Sequence, residues 1–353
     1  MTDVFDPIHE VTANFDAIFS WDYDRSRGSL VKLYEKAKTS QWNATSDLDW
    51  SLDVDPEKIG RELGGSGPMR FQALQEAEDS PVKHFGEKEW RQVSVEIQNS
   101  LLSQFMHGEQ GALLCTARIV ETVPWIDAKY YAATQVMDEA RHVEVFAKYL
   151  DEKLGSQYGI NDNLKGILDD ILADPRWDIA YLGMQIMVEG LALAAFGMLH
   201  QLTTEPLLKK LLRYVMSDEA RHVAFGVLSL QEFYAGLSDA EMRERQEFAF
   251  DVARRLQRRF AHAEMWAKLG VDPADVYRVM DRVNPPAQQM FQQLLFAKIV
   301  PNCKKLGLID ASGGWLRERF TEIGVIEFED LVDTGEEYTD LDEVARDRET
   351  AVA

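Results

Sequence analysis

The stretch MDEARHVEVF spans Met137 to Phe146, and SDEARHVAFG spans Ser217 to Gly226. The hexapeptide DEARHV therefore occurs twice, 80 positions apart. Each copy holds Glu-x-x-His: Glu139 with His142, and Glu219 with His222. On a helix, positions i and i+3 share a face, so both side chains can reach one ion. One such pair is as well explained by a solvated Glu–His pair on a helix surface. Two identical copies call for a common purpose.

The surroundings read as helical. From about Glu89, long Pro-free segments carry apolar residues at three- and four-residue spacing, the pattern of amphipathic helices. This predicts helices at roughly 87–121, 125–154, 177–202, 206–235, 239–269 and 286–307. Pro124, Gly155 and the run Thr203-Thr204-Glu205-Pro206 supply the stop signals. The linker 155–176 is much longer than the other two connections. Two helical hairpins joined by one long crossover have the connectivity of a ferritin-like four-helix bundle. The predicted fold class is all-α. Residues 1–85 are expected to be an irregular segment packing on the bundle, 86–310 the ferritin-like domain with accessory helices, and 311–353 an acidic C-terminal extension.

Such a bundle holds two metals when each ExxH helix faces a helix carrying one more Glu. In an antiparallel hairpin, residues equally far from the turn lie at one level. Glu109 and Glu139 each stand 15 residues from Pro124, and Glu189 and Glu219 each stand 15 residues from Thr204. At about 1.5 Å per residue, all four lie roughly 22 Å from their turns. Glu189 sits in YLGMQIMVEGLALAAFGML, an almost wholly apolar segment. A lone carboxylate there would cost several kcal/mol or be protonated, and a cation removes that cost. The candidate ligands are Glu109, Glu139, His142, Glu189, Glu219 and His222. Four carboxylates and two imidazoles suit a pair of first-row divalent metals, iron or manganese, better than zinc or magnesium. Asp138 and Asp218 are placed to accept the second N–H of the opposing histidine. Arg141 and Arg221 are placed to pair with those aspartates.

The chain has 353 residues, 46% hydrophobic and 10% aromatic, which fits a globular protein. Its net charge of −22 and pI near 4.7 argue against nucleic acid and anionic lipid as partners. Cys115 and Cys303 form no CxxC pair, so neither a disulfide framework nor a cysteine metal site is expected. The apolar stretch from Ile179 to Leu199 is broken by Gln185, Glu189 and three glycines, a poor membrane span. No signal peptide is evident, and a cytoplasmic location is expected.

Paired (D/E)ExRH motifs, each with a Glu about 30 residues upstream, resemble the ferritin-like di-iron carboxylate superfamily. The oxygen-activating branch matches best: di-iron monooxygenase hydroxylases, acyl carrier protein desaturases, and the ribonucleotide reductase small subunit with its ligand-binding oxidase relatives. QWNATSDLDWS, at 41–51, is similar to the segment preceding the bundle in that last group. The resemblance covers about 30–235. It implies a pair of iron ions, or manganese with iron, that activates O2 to hydroxylate, desaturate or otherwise oxidise a small apolar organic substrate. It further implies electrons from a ferredoxin or a flavin reductase, and a homodimer is compatible with it. Residues one turn from the ligands are the expected pocket lining: Phe105, Leu113, Phe146, Met184, Leu193, Phe196 and Phe225.

The chain departs from several members. Phe146 stands where the reductase subunit carries its radical tyrosine. Gly111 and Met184 stand where ligand-binding oxidases form a Val–Tyr crosslink. Val215 stands where arylamine N-oxygenases add a third histidine. Two other classes remain open: a ferroxidase or iron-handling protein, and a radical-generating subunit with a manganese–iron site.

Overall fold

In the computed structural model, residues 8–63, 67–259, 262–283, 289, 291 and 293–336 are described. Among them every regular element is helical. The centre of the molecule is a bundle of α4 (Glu87–Thr122), α5 (Ile126–Tyr149), α9 (Pro206–Tyr234) and a composite helix. That composite runs through α7 (Trp177–Tyr181), a π-helical stretch Leu182–Val188 and α8 (Glu189–Leu202). By length and composition it could cross a membrane, but 83% of its most apolar window is buried inside the bundle.

Local chemistry sets the boundaries. The Glu205 carboxylate caps α9, accepting from the backbone N–H of Leu207 and Leu208 at 2.9 and 2.6 Å, with Pro206 in the first turn. Asn161 caps the crossover helix α6 (Asp162–Ala173) by accepting from Leu164 N–H at 2.9 Å. The crossover carries the chain back to the end where α4 meets α5, so α7 starts beside that turn. There the rings of Trp125 and Trp177 lie 5.1 Å apart. The composite helix therefore runs parallel to α5, and equal advances along the two reach equal heights.

The π-helical stretch matters for the site. Its wider turn shifts the phase of the helix by roughly one residue. Glu189 is the first residue after it. The stretch also approaches α9 closely at Gly226, where a β-carbon would stand 2.6 Å from Gln185 Cβ. Gly226→Ala is therefore expected to push α9 off the composite helix and to lower stability by about 1–3 kcal/mol, the usual cost of overpacking. Denaturant unfolding of the variant checks this; an unchanged midpoint would contradict the observed approach.

Several expectations need correction. The N-terminal segment is not irregular: it contains α1 (Gly28–Thr39), α2 (Pro56–Leu63) and α3 (Gly67–Glu76). Leu30, Leu33 and Ala37 of α1 are buried against α5 and α9, whereas α2 and α3 are too short to show a clear period. The helix expected over 239–269 breaks after α10 (Asp239–Arg258), with His262 in the left-handed region at φ 55°. That break turns Met265 and Trp266 into a second apolar cluster with Phe71 and Trp90. Of the span expected at 286–307, Ile299–Lys305 is helical, and residues 284–288, 290 and 292 lie outside the described residues. The acidic extension begins with a packed helix, Ala311–Glu322, whose Leu316 and Phe320 are buried beside α10. Its acidic end from 337 onward lies outside the described residues.

Candidate metal centre

All six candidate ligands meet inside the bundle. Glu139, His142 and His222 are fully buried, and Glu109 is the most exposed carboxylate at 5%. The Nδ1 of His142 lies 3.3 Å from Glu109, 3.4 Å from Glu139 and 3.0 Å from Glu219. The Nδ1 of His222 lies 3.0 Å from Glu139 and 3.5 Å from Glu219. The donor atoms form two ion-sized groups, one of Glu109, Glu139, His142 and Glu219, the other of Glu139, Glu189 and His222. Glu139 belongs to both groups, and Glu219 approaches both imidazoles. The two carboxylates of the repeated motif are therefore central, and Glu109 and Glu189 are terminal.

A second layer holds these donors. His142 Nε2 lies 3.2 Å from Asp218 Oδ2, and His222 Nε2 lies 3.3 Å from Asp138 Oδ2. With Nε2 committed to a carboxylate, each Nδ1 is left as the metal-facing atom. Arg141 bridges the two aspartates at 2.5 and 3.0 Å, and Arg221 pairs with Asp218 and Asp138.

Three contributors escaped the sequence reading. Gln135 Nε2 donates to Glu139 at 2.9 Å and to Glu189 at 3.0 Å, tying α5 to α8. Its position, one turn before Glu139, was the available signal. Gln41 and Trp42, in the quoted QWNATSDLDWS, reach the second layer. Trp42 Nε1 donates to Asp218 at 2.7 Å, and Gln41 joins Asp138 and Arg141 at 3.0 and 2.7 Å.

Protons occupy the cluster when no metal does. Burial, helped by Glu219, pushes the Glu109 carboxyl up to about 8. Burial and the charges of Glu139 and Glu219 hold Glu189 well above the carboxylate range. Burial opposes charge on the imidazoles, but the surrounding carboxylates outweigh it and raise His142 and His222 well above 6.5. Burial works to raise Glu139 as well, and His222 and His142 instead hold it below the usual range.

The donor set fits a pair of cations. Glu189 Oε2 is buried with no hydrogen-bond partner in the protein, and Glu139 Oε2 and both Glu219 oxygens face only the imidazole Nδ1 atoms, without hydrogen-bond alignment. Lone pairs left so are costly unless a cation takes them. Metal binding must expel the protons on the imidazoles and raised carboxyls, so affinity is expected to increase with pH. The Glu109 share of that increase ends near pH 8. Calorimetric Mn(II) titrations in buffers of differing ionisation enthalpy check this, and heats independent of buffer would contradict it. The sign for stability follows. Groups whose folded pKa is raised favour the fold at low pH, so the metal-free protein should lose stability as pH rises from 4.5 towards 8.

The residues of the expected pocket lining fall into two aromatic groups. Phe105, Phe146 and Phe196 pack on one another with ring centroids 4.7 to 6.2 Å apart. Phe225 stands apart, between Tyr131 and Tyr181. None of the seven, Leu113, Met184 and Leu193 included, lines the cavities described among these residues. An apolar groove of about 1040 Å³ lies on the outer side of α4, lined by Met106, Gly111, Leu114, Leu168 and Leu172 among others.

No protein-family model matches the chain, and no curated protein matches it. The chain is similar to solved structures of an R2-like ligand-binding oxidase. A mutant with an anaerobically reconstituted Mn/Fe cofactor is 18% identical, covers 78% of this chain and 92% of its own, and has a TM-score of 0.47. The same oxidase with an aerobically reconstituted Mn/Fe cofactor is 18% identical, with coverages of 89% and 95% and a TM-score of 0.45.

Proposed function

We propose that this protein is an O2-dependent oxidoreductase, a monooxygenase or oxidase, working through a pair of metal ions held by Glu109, Glu139, His142, Glu189, Glu219 and His222. The observation that carries the reading is the convergence of four carboxylates and two imidazoles, buried, in two overlapping ion-sized groups. When bound, iron, or manganese with iron, supplies the redox chemistry that O2 activation requires. The residues supply the rest. Glu139 and Glu219 would each contribute to holding both ions, Asp138 and Asp218 orient the imidazoles, and the apolar bundle excludes bulk water. A small apolar organic substrate is supported by the groove beside α4, one face away from Glu109. The net charge of −22 suits docking of a ferredoxin or flavin reductase through a basic face.

An anaerobic Fe(II) titration followed by rapid mixing with O2 tests the proposal. Uptake should saturate near two irons per chain, and O2 should then be consumed. Uptake continuing into a ferric mineral would replace the oxygenase reading with iron handling. Two bound irons inert to O2, with a manganese–iron loading equally inert, would overturn it.

A further inference from the structure

The bundle interior carries a second repeat below the centre. Tyr131-x3-Gln135-x3-Glu139 on α5 matches Tyr181-x3-Gln185-x3-Glu189 on the composite helix, 50 positions later. Four-residue spacing stacks each set on one helix face. Because the two helices run parallel, the sets form matching tiers: glutamates at the centre, then glutamines, then tyrosines. Gln135 bonds both glutamates. Gln185, its counterpart, is fully buried, yet neither its Oε1 nor its Nε2 has a protein partner. The tier beneath repeats this. Tyr181 is fully buried and its hydroxyl turns toward Ser229, but the two do not close a hydrogen bond. Ser229 Oγ is likewise buried and unpaired.

Polar groups buried in native proteins are paired, with protein or with ordered water. An apolar interior does not keep a carboxamide, a phenol and a hydroxyl together without a partner, and water can serve several at once. The column ends near solvent. Trp177 and Asp178, one turn before Tyr181, line an open groove with Arg245, whose guanidinium pairs with Asp178 at 2.9 and 3.2 Å.

We propose that the Tyr181–Gln185–Ser229 column binds a chain of ordered water molecules that carries protons between the Glu139–Glu189 tier and the groove at Asp178 and Arg245. The proton role rests on the oxygenase reading; the water site does not. Hydroxylation of a substrate RH by O2 gives ROH and water. It takes two electrons from the external donor and two protons from solvent. Those protons must reach the centre from solvent, and this column is a buried polar route on the side of Gln185, apart from the Asp138–Asp218 layer. Each hydroxyl or water passes a proton by accepting one hydrogen bond and donating another, and the Gln185 carboxamide holds the adjoining water in line.

The test has two readouts. A crystal structure of the metal-free protein should show water bonded to Gln185 and Ser229. A dry interior, with the carboxamide turned onto a backbone carbonyl, would overturn the water site. Tyr181→Phe and Ser229→Ala each remove a single oxygen, and Gln185→Met keeps the length of its side chain. Each variant should still take up two irons. Its single-turnover reaction with O2 should slow about tenfold or more, as loss of a proton-transfer group does. Its solvent deuterium isotope effect should rise above that of the wild type. A purely structural role would leave the isotope effect unmoved, and unchanged rates and isotope effects in all three variants would overturn the proton role. A wild-type protein that leaves O2 untouched when loaded with iron and when loaded with manganese and iron would sink the oxygenase reading and the proton role together. The crystal alone then decides the water site.

Discussion

Replacing Glu189 with alanine should remove one of the two metal ions and stop O2 consumption. Glu189 is the only carboxylate that α8 brings to the group it shares with Glu139 and His222. Its Oε1 accepts from Gln135 and its Oε2 has no partner, so that oxygen is the lone pair aimed at an ion. Loss of an outer partner alone weakens metal binding by about 10–100-fold, and loss of a direct ligand should exceed that. Elemental analysis after dialysis should give one metal per chain in place of two. The metal-free variant should show the opposite sign. Burial holds the Glu189 carboxyl well above its ordinary range, so above that range it costs the fold stability. Its removal should leave the metal-free Tm unchanged or higher while metal no longer raises it as far. Glu144→Ala, at an exposed position two residues beyond His142, should bind both ions normally. A Glu189→Ala protein that retains two metals and reacts with O2 would show the ligand set to be wrong.

Asp218→Ala should be the most destabilising single change in the second layer. The carboxylate of Asp218 receives His142 Nε2, Trp42 Nε1, Arg141 and Arg221. Burial works to raise this carboxyl, and His142, Arg221 and His222 outweigh it and hold it well below the usual range. Alanine would leave two buried guanidinium groups with only Asp138 between them. Breaking a buried ionic network from one side costs about 3–5 kcal/mol. Metal affinity should fall by about 10–100-fold, because His142 loses the acceptor that fixes its tautomer. Denaturant unfolding of the metal-free protein and a Mn(II) titration measure the two effects separately. A loss of affinity without a loss of stability would mean that Asp138 carries both arginines alone.

Much of the centre was legible because its information is axial. Helical period fixes which residues share a face, and rise per residue fixes their height above a turn. Those two quantities sufficed to group Glu109, Glu139, His142, Glu189, Glu219 and His222. Asp138, Asp218, Arg141 and Arg221 followed from the same repeat. The pocket lining was not legible by the same means. Phe105 and Phe146 lie one turn from Glu109 and His142 and Phe196 two turns from Glu189, but height and face do not say whether a ring borders space or another ring.

The amino-acid sequence by itself determined an all-helical chain, two hairpins with a long crossover, and six candidate metal ligands at one level. Only the tertiary structure decided how those side chains divide, with Glu139 and Glu219 between the imidazoles and Glu109 and Glu189 outside them. It alone brought Gln41 and Trp42 from before the bundle onto Asp138 and Asp218, packed Phe105, Phe146 and Phe196 on one another, and opened a groove outside α4. The physical reason is that period and rise are properties of one helix. Lateral distances between helices, and the turn of a loop onto them, depend on packing between residues that lie 50 to 180 positions apart in the chain.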